Sequence, residues 1–159
     1  MKESIKSIES NKGLGELLFG MSREEVKALI GEPFEIEKPE EEDIDGLGRV
    51  EVWHYDQLEM SLGFEEEEDW ALMSISITSG YYELGNISLI GKSLAEVGSE
   101  LEKLGIINYE TEDHSDAESP NHKLIVSDFL GMIIWFDNDV ATEISWSPLY
   151  EEEEKLRVV

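Results

Sequence analysis

The sequence predicts an α+β fold in which two tandem helix-plus-antiparallel-meander repeats form one pseudo-symmetric domain. A capped amphipathic helix occurs twice, after Ser22 and after Ser93, at an offset of 71 residues. Each helix precedes segments in which apolar and polar residues alternate, as in strands with one buried face. We expect an N-terminal segment over 1–13, repeat 1 over 14–80, repeat 2 over 81–150 and an acidic tail over 151–159.

Both predicted helices begin with a capping box. Ser22 and Ser93 each precede a glutamate by three residues, so the hydroxyl accepts from a first-turn amide while the carboxylate accepts from the cap residue's own N–H. The first helix is expected to end at Gly31-Glu32-Pro33, because proline cannot continue a helix. The second is expected to end at Gly105, which tolerates a left-handed cap. The apolar stripes are Val26, Leu29 and Ile30 in the first helix and Leu94, Val97, Leu101 and Leu104 in the second.

Three pairs of strands are predicted after the helices. The first pair is Val50 to Asp56 with Lys123 to Asp128. The second is expected to bury Leu58, Met60, Leu62 and Phe64 in repeat 1 and Leu130, Met132, Ile134 and Phe136 in repeat 2; the third matches Met73, Ile75 and Ile77 with Thr142, Ile144 and Trp146. Polar loops are expected over 35–48 and 109–122. One helix and one sheet face make too small a core alone, so the two copies are expected to share one; the alternative is that the two patterns coincide by chance.

The composition restricts the classes of partner. The chain has 159 residues with 38 Asp and Glu against 12 Lys and Arg, a formal charge of −26, and 40% of its residues are hydrophobic. Such a charge opposes direct binding to nucleic acid or to anionic membranes, which depends on Lys and Arg. It suits either solubility or a basic protein partner. The N-terminal segment lacks the apolar stretch of a signal peptide, so we expect a soluble, cytoplasmic protein.

No catalytic, metal or cofactor site is expected. The absence of cysteine excludes a disulfide, a zinc-thiolate site and a cysteine nucleophile. His54, His114 and His122 do not have metal-ligand spacing, and the acidic run over 65–69 is better explained as a solvated turn than as a calcium loop. Nucleotide-binding and serine-hydrolase motifs are missing. The remaining enzymatic hypothesis is a hydrolase whose acidic loops carry metal.

The alternation of side chains along a strand predicts a partner-binding face centred on Trp135. Trp135 and Ile133 point away from the face assigned to the helices, and an exposed tryptophan beside an aliphatic residue is typical of an interface anchor. The same parity places Glu59, Ser61, Ser74, Ser76, Glu143 and Ser145 on this face, while Tyr81 and Tyr82 are expected either to rim it or to pin the linker between the repeats. The alternative is that Trp135 is covered, either by the N-terminal segment through Ile5 and Ile8 or by the acidic tail.

The first helix carries a family resemblance. Gly20-Met21-Ser22-Arg23-Glu24-Glu25-Val26-Lys27-Ala28-Leu29-Ile30-Gly31-Glu32-Pro33 resembles the "G-M-[ST]-x-x-E-V-x-x-L-[LI]-G-x-P" opening of the SmpA/OmlA outer-membrane lipoprotein family. Two such units in tandem resemble the β-lactamase inhibitor protein, whose paired repeats form a concave sheet that clasps an enzyme. The resemblance implies a sheet used to bind protein. We therefore hypothesise a bacterial immunity protein or inhibitor that occludes the active site of a basic toxin, with a nuclease as first guess; the alternative is a structural assembly module.

Overall fold

A computed structural model describes residues 3–38, 49–118 and 121–149. The predicted acidic tail and part of the predicted loop over 35–48 lie outside these ranges. Within them the chain has an α+β fold, with two α-helices, an eight-stranded antiparallel sheet and a small three-stranded sheet. Neither helix of these ranges has the length and apolar content needed to cross a bilayer.

The two halves have the same order of helix and strands. The first half contains β1 (Ile8–Glu9), β2 (Gly13–Leu14), β3 (Leu17–Leu18), α1 (Arg23–Ile30), β4 (Glu35–Glu37), β5 (Val50–Tyr55), β6 (Met60–Glu65) and β7 (Ala71–Ile77). The second half contains α2 (Leu94–Lys103), β8 (Glu110–Asp113), β9 (His122–Ser127), β10 (Met132–Asp137) and β11 (Val140–Trp146). After an initial hairpin-like sheet of β1 to β3, each half is thus one helix followed by four strands.

The helices begin and end where the sequence predicts. Ser22 and Ser93 are the N-caps, and both capping boxes are complete. Gly31 and Gly105 follow the helices with φ of 89° and 81°, values that favour glycine. Local side-chain chemistry therefore determines the limits of both helices.

The halves join into one large sheet at β7 and β11. The strand order is β4-β5-β6-β7-β11-β10-β9-β8. Only three register pairs link β7 to β11, with Ser76 opposite Ser145 at the centre and Ile75 opposite Trp146. The two hydroxyl oxygens lie 2.8 Å apart. Ser76 and Ser145 are matched positions of the predicted repeats, so this pairing is unchanged when the two halves are exchanged.

A single core lies between the helices and one face of the large sheet. Val26 and Ile30 of α1 and Val97 and Leu101 of α2 are buried there, together with the alternate residues of β6 and β10 from Met60 to Phe64 and from Met132 to Phe136. Ile5 and Ile8 belong to the same core. The alternative in which they cover Trp135 is therefore wrong, because the N-terminal segment packs on the other side of the sheet.

Several sequence predictions need correction. A β-bulge after Trp135 places Ala141 opposite Phe136, so Ala141 is buried where Thr142 was expected, and Thr142 is exposed. Leu58 and Leu130 are only partly buried because they lie in turns ahead of β6 and β10. Residues 35–37 and 110–113, predicted as loops, form the two edge strands β4 and β8.

Candidate functional site

The face of the large sheet opposite the helices, here called the open face, carries the predicted partner-binding residues of the strands. Because side chains alternate along a strand, every second residue of each strand points to this face. One row across the sheet runs through residues that are neighbours in register: His54, Ser61, Ser76, Ser145, Ile133, Val126 and Glu110. The open face is therefore polar at its centre and apolar towards β9 and β10.

An acidic depression lies near the centre of the open face. It encloses about 270 Å³ and is lined by Asp56, Glu59, Met60, Ser61, Ser76, Thr78 and Glu143. Three of the predicted binding residues, Glu59, Ser61 and Glu143, are thus brought together. Among the described residues, the lining contains three carboxylates and no basic side chain, so the depression favours a cation.

Hydrogen bonds fix the side chains beside this depression. Ser145 Oγ donates to Glu143 Oε2 at 3.2 Å, and Ser76 Oγ lies 2.8 Å from Ser145 Oγ. Ser61 Oγ lies 2.8 Å from His54 Nδ1, and the other ring nitrogen of His54 lies 2.9 Å from Glu37 Oε1. These contacts hold Ser61 and Glu143 in position without help from a ligand.

Trp135 lies on the open face as predicted but is partly covered. The His122 ring stacks on it at 5.4 Å between centroids and 22° between planes, and the His114 ring approaches edge-on at 6.4 Å. Leu124, opposite Trp135 in β9, is only 3% exposed and lies outside the main core. Sequence analysis missed both histidine contacts, since they depend on the register between β8, β9 and β10.

These side chains form an apolar patch beside the acidic depression. The patch, here called the Trp135 cluster, comprises Leu124, Val126, Ile133, Trp135, His114 and His122. Glu143 is the register neighbour of Trp135 in β11 and also lines the depression. The two features are therefore adjacent, giving the open face a half-buried aromatic centre with carboxylates around it.

The two linker tyrosines do not join the open face. Tyr82 is completely buried, and its hydroxyl donates to the Leu58 carbonyl. Burial raises the pKa of Tyr82, and the nearby Glu59 carboxylate raises it further. Tyr81 packs against the main core and contacts Tyr82 edge-on at 5.4 Å. The prediction that these residues contact a partner is wrong for Tyr82, because the chain after β7 turns back to the helix side; of the two alternatives, Tyr82 pins the linker.

A buried carboxylate on the helix side was not predicted at all. Glu51 is 5% exposed, and one of its oxygens accepts a hydrogen bond from Trp53 Nε1 at 2.7 Å. Its other oxygen lies 3.4 Å from Arg23 Nη1 and 3.9 Å from Lys38 Nζ. In addition, the Lys27 ammonium lies 5.5 Å from the centre of the Trp53 ring. Three basic side chains are thus held on the helix side, around α1.

A metal site needs several donor atoms that converge on one point. Among residues 3–38, 49–118 and 121–149, no group of three or more histidine, aspartate or glutamate side chains has the geometry to hold a metal ion. The carboxylates of the acidic depression are arranged around an open space, and this arrangement favours a cationic group.

Comparisons with known proteins show a likeness of fold. No protein-family model matches the chain, and neither does any curated protein sequence. An extracellular protein containing an SCP domain from Bacillus anthracis str. Ames aligns with a TM-score of 0.50 and 17% identity, over 99% of this chain and 51% of its own. A DUF4309 family protein (YjgB) from Bacillus subtilis subsp. subtilis str. 168 aligns with a TM-score of 0.45 and 18% identity, over 87% of this chain and 88% of its own. This chain spans about half the length of the first protein, and at such identity that likeness concerns the fold alone.

Proposed function

We propose that this chain is a non-enzymatic, acidic protein that binds a basic protein partner through its open face. One observation carries the proposal: both helices lie on the same side of the eight-stranded sheet, which leaves the Trp135 cluster and the acidic depression adjacent on the other side. Hot-spot residues of protein interfaces are enriched in tryptophan and lie near the centre of the interface, inside a polar rim.

We also propose that the chain is a tandem duplication of one helix-plus-meander unit. The shared order of elements, the two capping boxes and the exchangeable pairing of Ser76 with Ser145 support this view. It agrees with the resemblance of residues 20–33 to the SmpA/OmlA family and with a β-lactamase-inhibitor-like arrangement. A duplicated sheet is twice as broad as a single one, which suits it to cover a cleft in a partner.

The partner that fits this face best is a basic bacterial toxin, with a nuclease as first guess, so the chain acts as a cytoplasmic immunity protein or inhibitor. In this mechanism Asp56, Glu59 and Glu143 take the places of substrate phosphates in the basic cleft, and Trp135 packs against its wall. The charge of −26 speeds the encounter, and salt weakens that effect by screening.

Affinity capture from the native host tests this proposal. The wild-type chain is expected to retain a basic protein at low salt, and Trp135→Ala is expected to weaken its binding by about 30-fold or more, as for a hot-spot residue. Phe129→Ala is the matched control, because Phe129 is 65% exposed but lies in the turn between β9 and β10. Circular dichroism of both variants verifies that they fold.

A charge-reversal variant separates binding from folding. Glu59→Lys combined with Glu143→Lys changes two side chains that line the acidic depression and leaves the core intact. This variant is expected to lose the basic partner while keeping the wild-type melting temperature. Recovery of only neutral or acidic proteins, or full retention of the partner by both this variant and Trp135→Ala, contradicts the proposal.

A structural assembly module is the second candidate. It is favoured by the likeness to a protein of which this fold covers 51%, since a fold that recurs within a longer chain behaves as a module. It predicts stoichiometric capture of housekeeping components and no toxin gene beside the gene for this chain. Capture of a single toxin-like protein instead favours the inhibitor.

A further inference from the structure

Among residues 3–38, 49–118 and 121–149, no strand pairs with the outer edge of β8. β8 pairs with β9 on one side, is the last strand in the sheet order, and has four exposed residues. His114 N donates to His122 O at 2.8 Å, just beyond the strand. Hydrogen-bonded pairs alternate along an antiparallel ladder, so Glu112 and Glu110 also bond to β9. The N–H and C=O groups of Thr111 and Asp113 therefore point outwards.

The acidic side chains of this edge favour a strand of positive charge over one of negative charge. Glu110 and Glu112 lie on the open face beside the Trp135 cluster, opposite Val126 and Leu124. Asp113 adds a third carboxylate, whose pKa is lowered chiefly by its hydrogen bonding to Ser115. A second copy of this chain pairing at the same edge would bring like charges together, which is unfavourable. A strand that carries Lys or Arg opposite Glu110 and Glu112 is attracted instead, because opposite charges then face each other.

The other end of the sheet is less suited to this role. β4 has three residues against four in β8. Lys38 follows β4 at once, and its ammonium lies 3.9 Å from the Glu51 carboxylate. β8 carries three carboxylates within four residues; its Glu112 contacts His114 at 2.9 Å, and its Asp113 lies opposite Lys123 in β9. The shorter length of β4 and the lysine that follows it therefore make β8 the better edge for a basic strand.

We infer that β8 accepts an extended, basic segment of the partner as a ninth strand of the sheet. The added strand exchanges backbone hydrogen bonds with Thr111 and Asp113, and its Lys or Arg side chains at alternate positions lie against Glu110 and Glu112 on the open face. Main-chain bonds supply affinity in this mode of recognition, while alternate side chains supply selectivity. The inference rests on the proposed function only in taking the partner to be a basic protein.

Amide hydrogen exchange on the full chain tests this inference with two short peptides. A peptide of alternating Lys and Thr is expected to slow exchange of the Thr111 and Asp113 amides by about tenfold or more, because it covers them. The Glu112 amide already bonds to β9 and is expected to change less. A peptide of alternating Lys and Pro has matched charge but cannot add as a strand, since proline has no N–H. It is expected to protect neither amide.

A pair of substitutions at one position completes the test. Thr111→Pro removes an outward N–H and leaves the hydrogen bonds to β9 intact. It is therefore expected to lower the affinity for the Lys–Thr peptide by about tenfold or more. Thr111→Val keeps the N–H and the strand preference, and it is expected to bind as the wild type does. Glu110→Gln with Glu112→Gln leaves the backbone unchanged and is also expected to weaken binding.

Two results with the peptides overturn the inference. One is equal binding of the Lys–Pro and Lys–Thr peptides; the other is binding of the Lys–Thr peptide without slower exchange at Thr111 and Asp113. A native partner that protects Trp135 but not Thr111 likewise removes the inference and leaves the proposed function standing. If no basic partner is captured from the host, the proposed function fails, while the peptides still decide whether the edge accepts a strand.

Discussion

Replacing Glu51 by glutamine tests whether the buried carboxylate stabilises the fold. Glutamine keeps an acceptor for the Trp53 indole at nearly the same position, but it changes a charge-assisted hydrogen bond into a neutral one, a loss of about 1 kcal/mol. The Arg23 and Lys38 side chains are 35% and 75% exposed, so solvent screens their ion pairs and each adds about 0–1 kcal/mol. Glu51→Gln is therefore expected to cost about 1–3 kcal/mol.

Urea denaturation measures this difference as a lower midpoint with an unchanged slope. Glu51→Ala is expected to cost about 1–3 kcal/mol more than Glu51→Gln, because the indole N–H is then left without an acceptor. Glu24→Gln, at an exposed position of α1, is the control and is expected to change stability by less than about 0.5 kcal/mol. A Glu51→Gln protein as stable as the wild type would show that the desolvation of the carboxylate cancels its hydrogen bonds and ion pairs.

Three further predictions concern stability. The Ser93 N–H, which donates to Glu96, is the main cause of the lowered pKa of that carboxylate, so its stabilisation is complete above the ordinary value of 4.5 and disappears as the pH falls through the lowered pKa. Stability curves of the wild type and Glu96→Gln should thus converge only in acid, and a gap independent of pH refutes this. Ser93→Ala should cost about 1 kcal/mol by chemical denaturation, and no loss there means that the cap is dispensable. Trp146→Phe removes the indole hydrogen bond to the Gly13 carbonyl at 3.0 Å and should cost about 1–3 kcal/mol, seen as a lower melting temperature; an unchanged value contradicts the tie between β11 and the N-terminal segment.

The parts of the fold that depend on local chemistry were predictable from the sequence. The caps at Ser22 and Ser93 follow from neighbouring residues, as does the burial of alternate residues in β6 and β10. β8 gave no such signal, because Glu110-Thr111-Glu112-Asp113 has no apolar residue and is a strand only through its pairing with β9. Ala141 is buried in place of Thr142 because of a β-bulge, which the alternation of apolar and polar residues does not reveal.

The candidate site was predictable as a face but not in its details. Parity placed Trp135, Ser61 and Glu143 on the same side of the sheet, and the structure agrees. The histidines on Trp135 come from the hairpin that joins β8 and β9, so only the long-range register brings them there. Tyr82 turned inwards because the linker follows the N-terminal segment, to which it is joined by the bridge between Ser7 and Glu83.

The position of the basic residues around α1 has a consequence for how a partner approaches. Arg23, Lys27 and Lys38 place positive charge on the helix side, whereas the charged residues that line the depression, within the part of the chain that the structure describes, are all carboxylates. A cationic group is therefore repelled by the three basic side chains beside α1 and attracted by the three carboxylates of the depression. This local difference in charge favours the approach of a basic partner from the strand side over an approach along Arg23, Lys27 and Lys38.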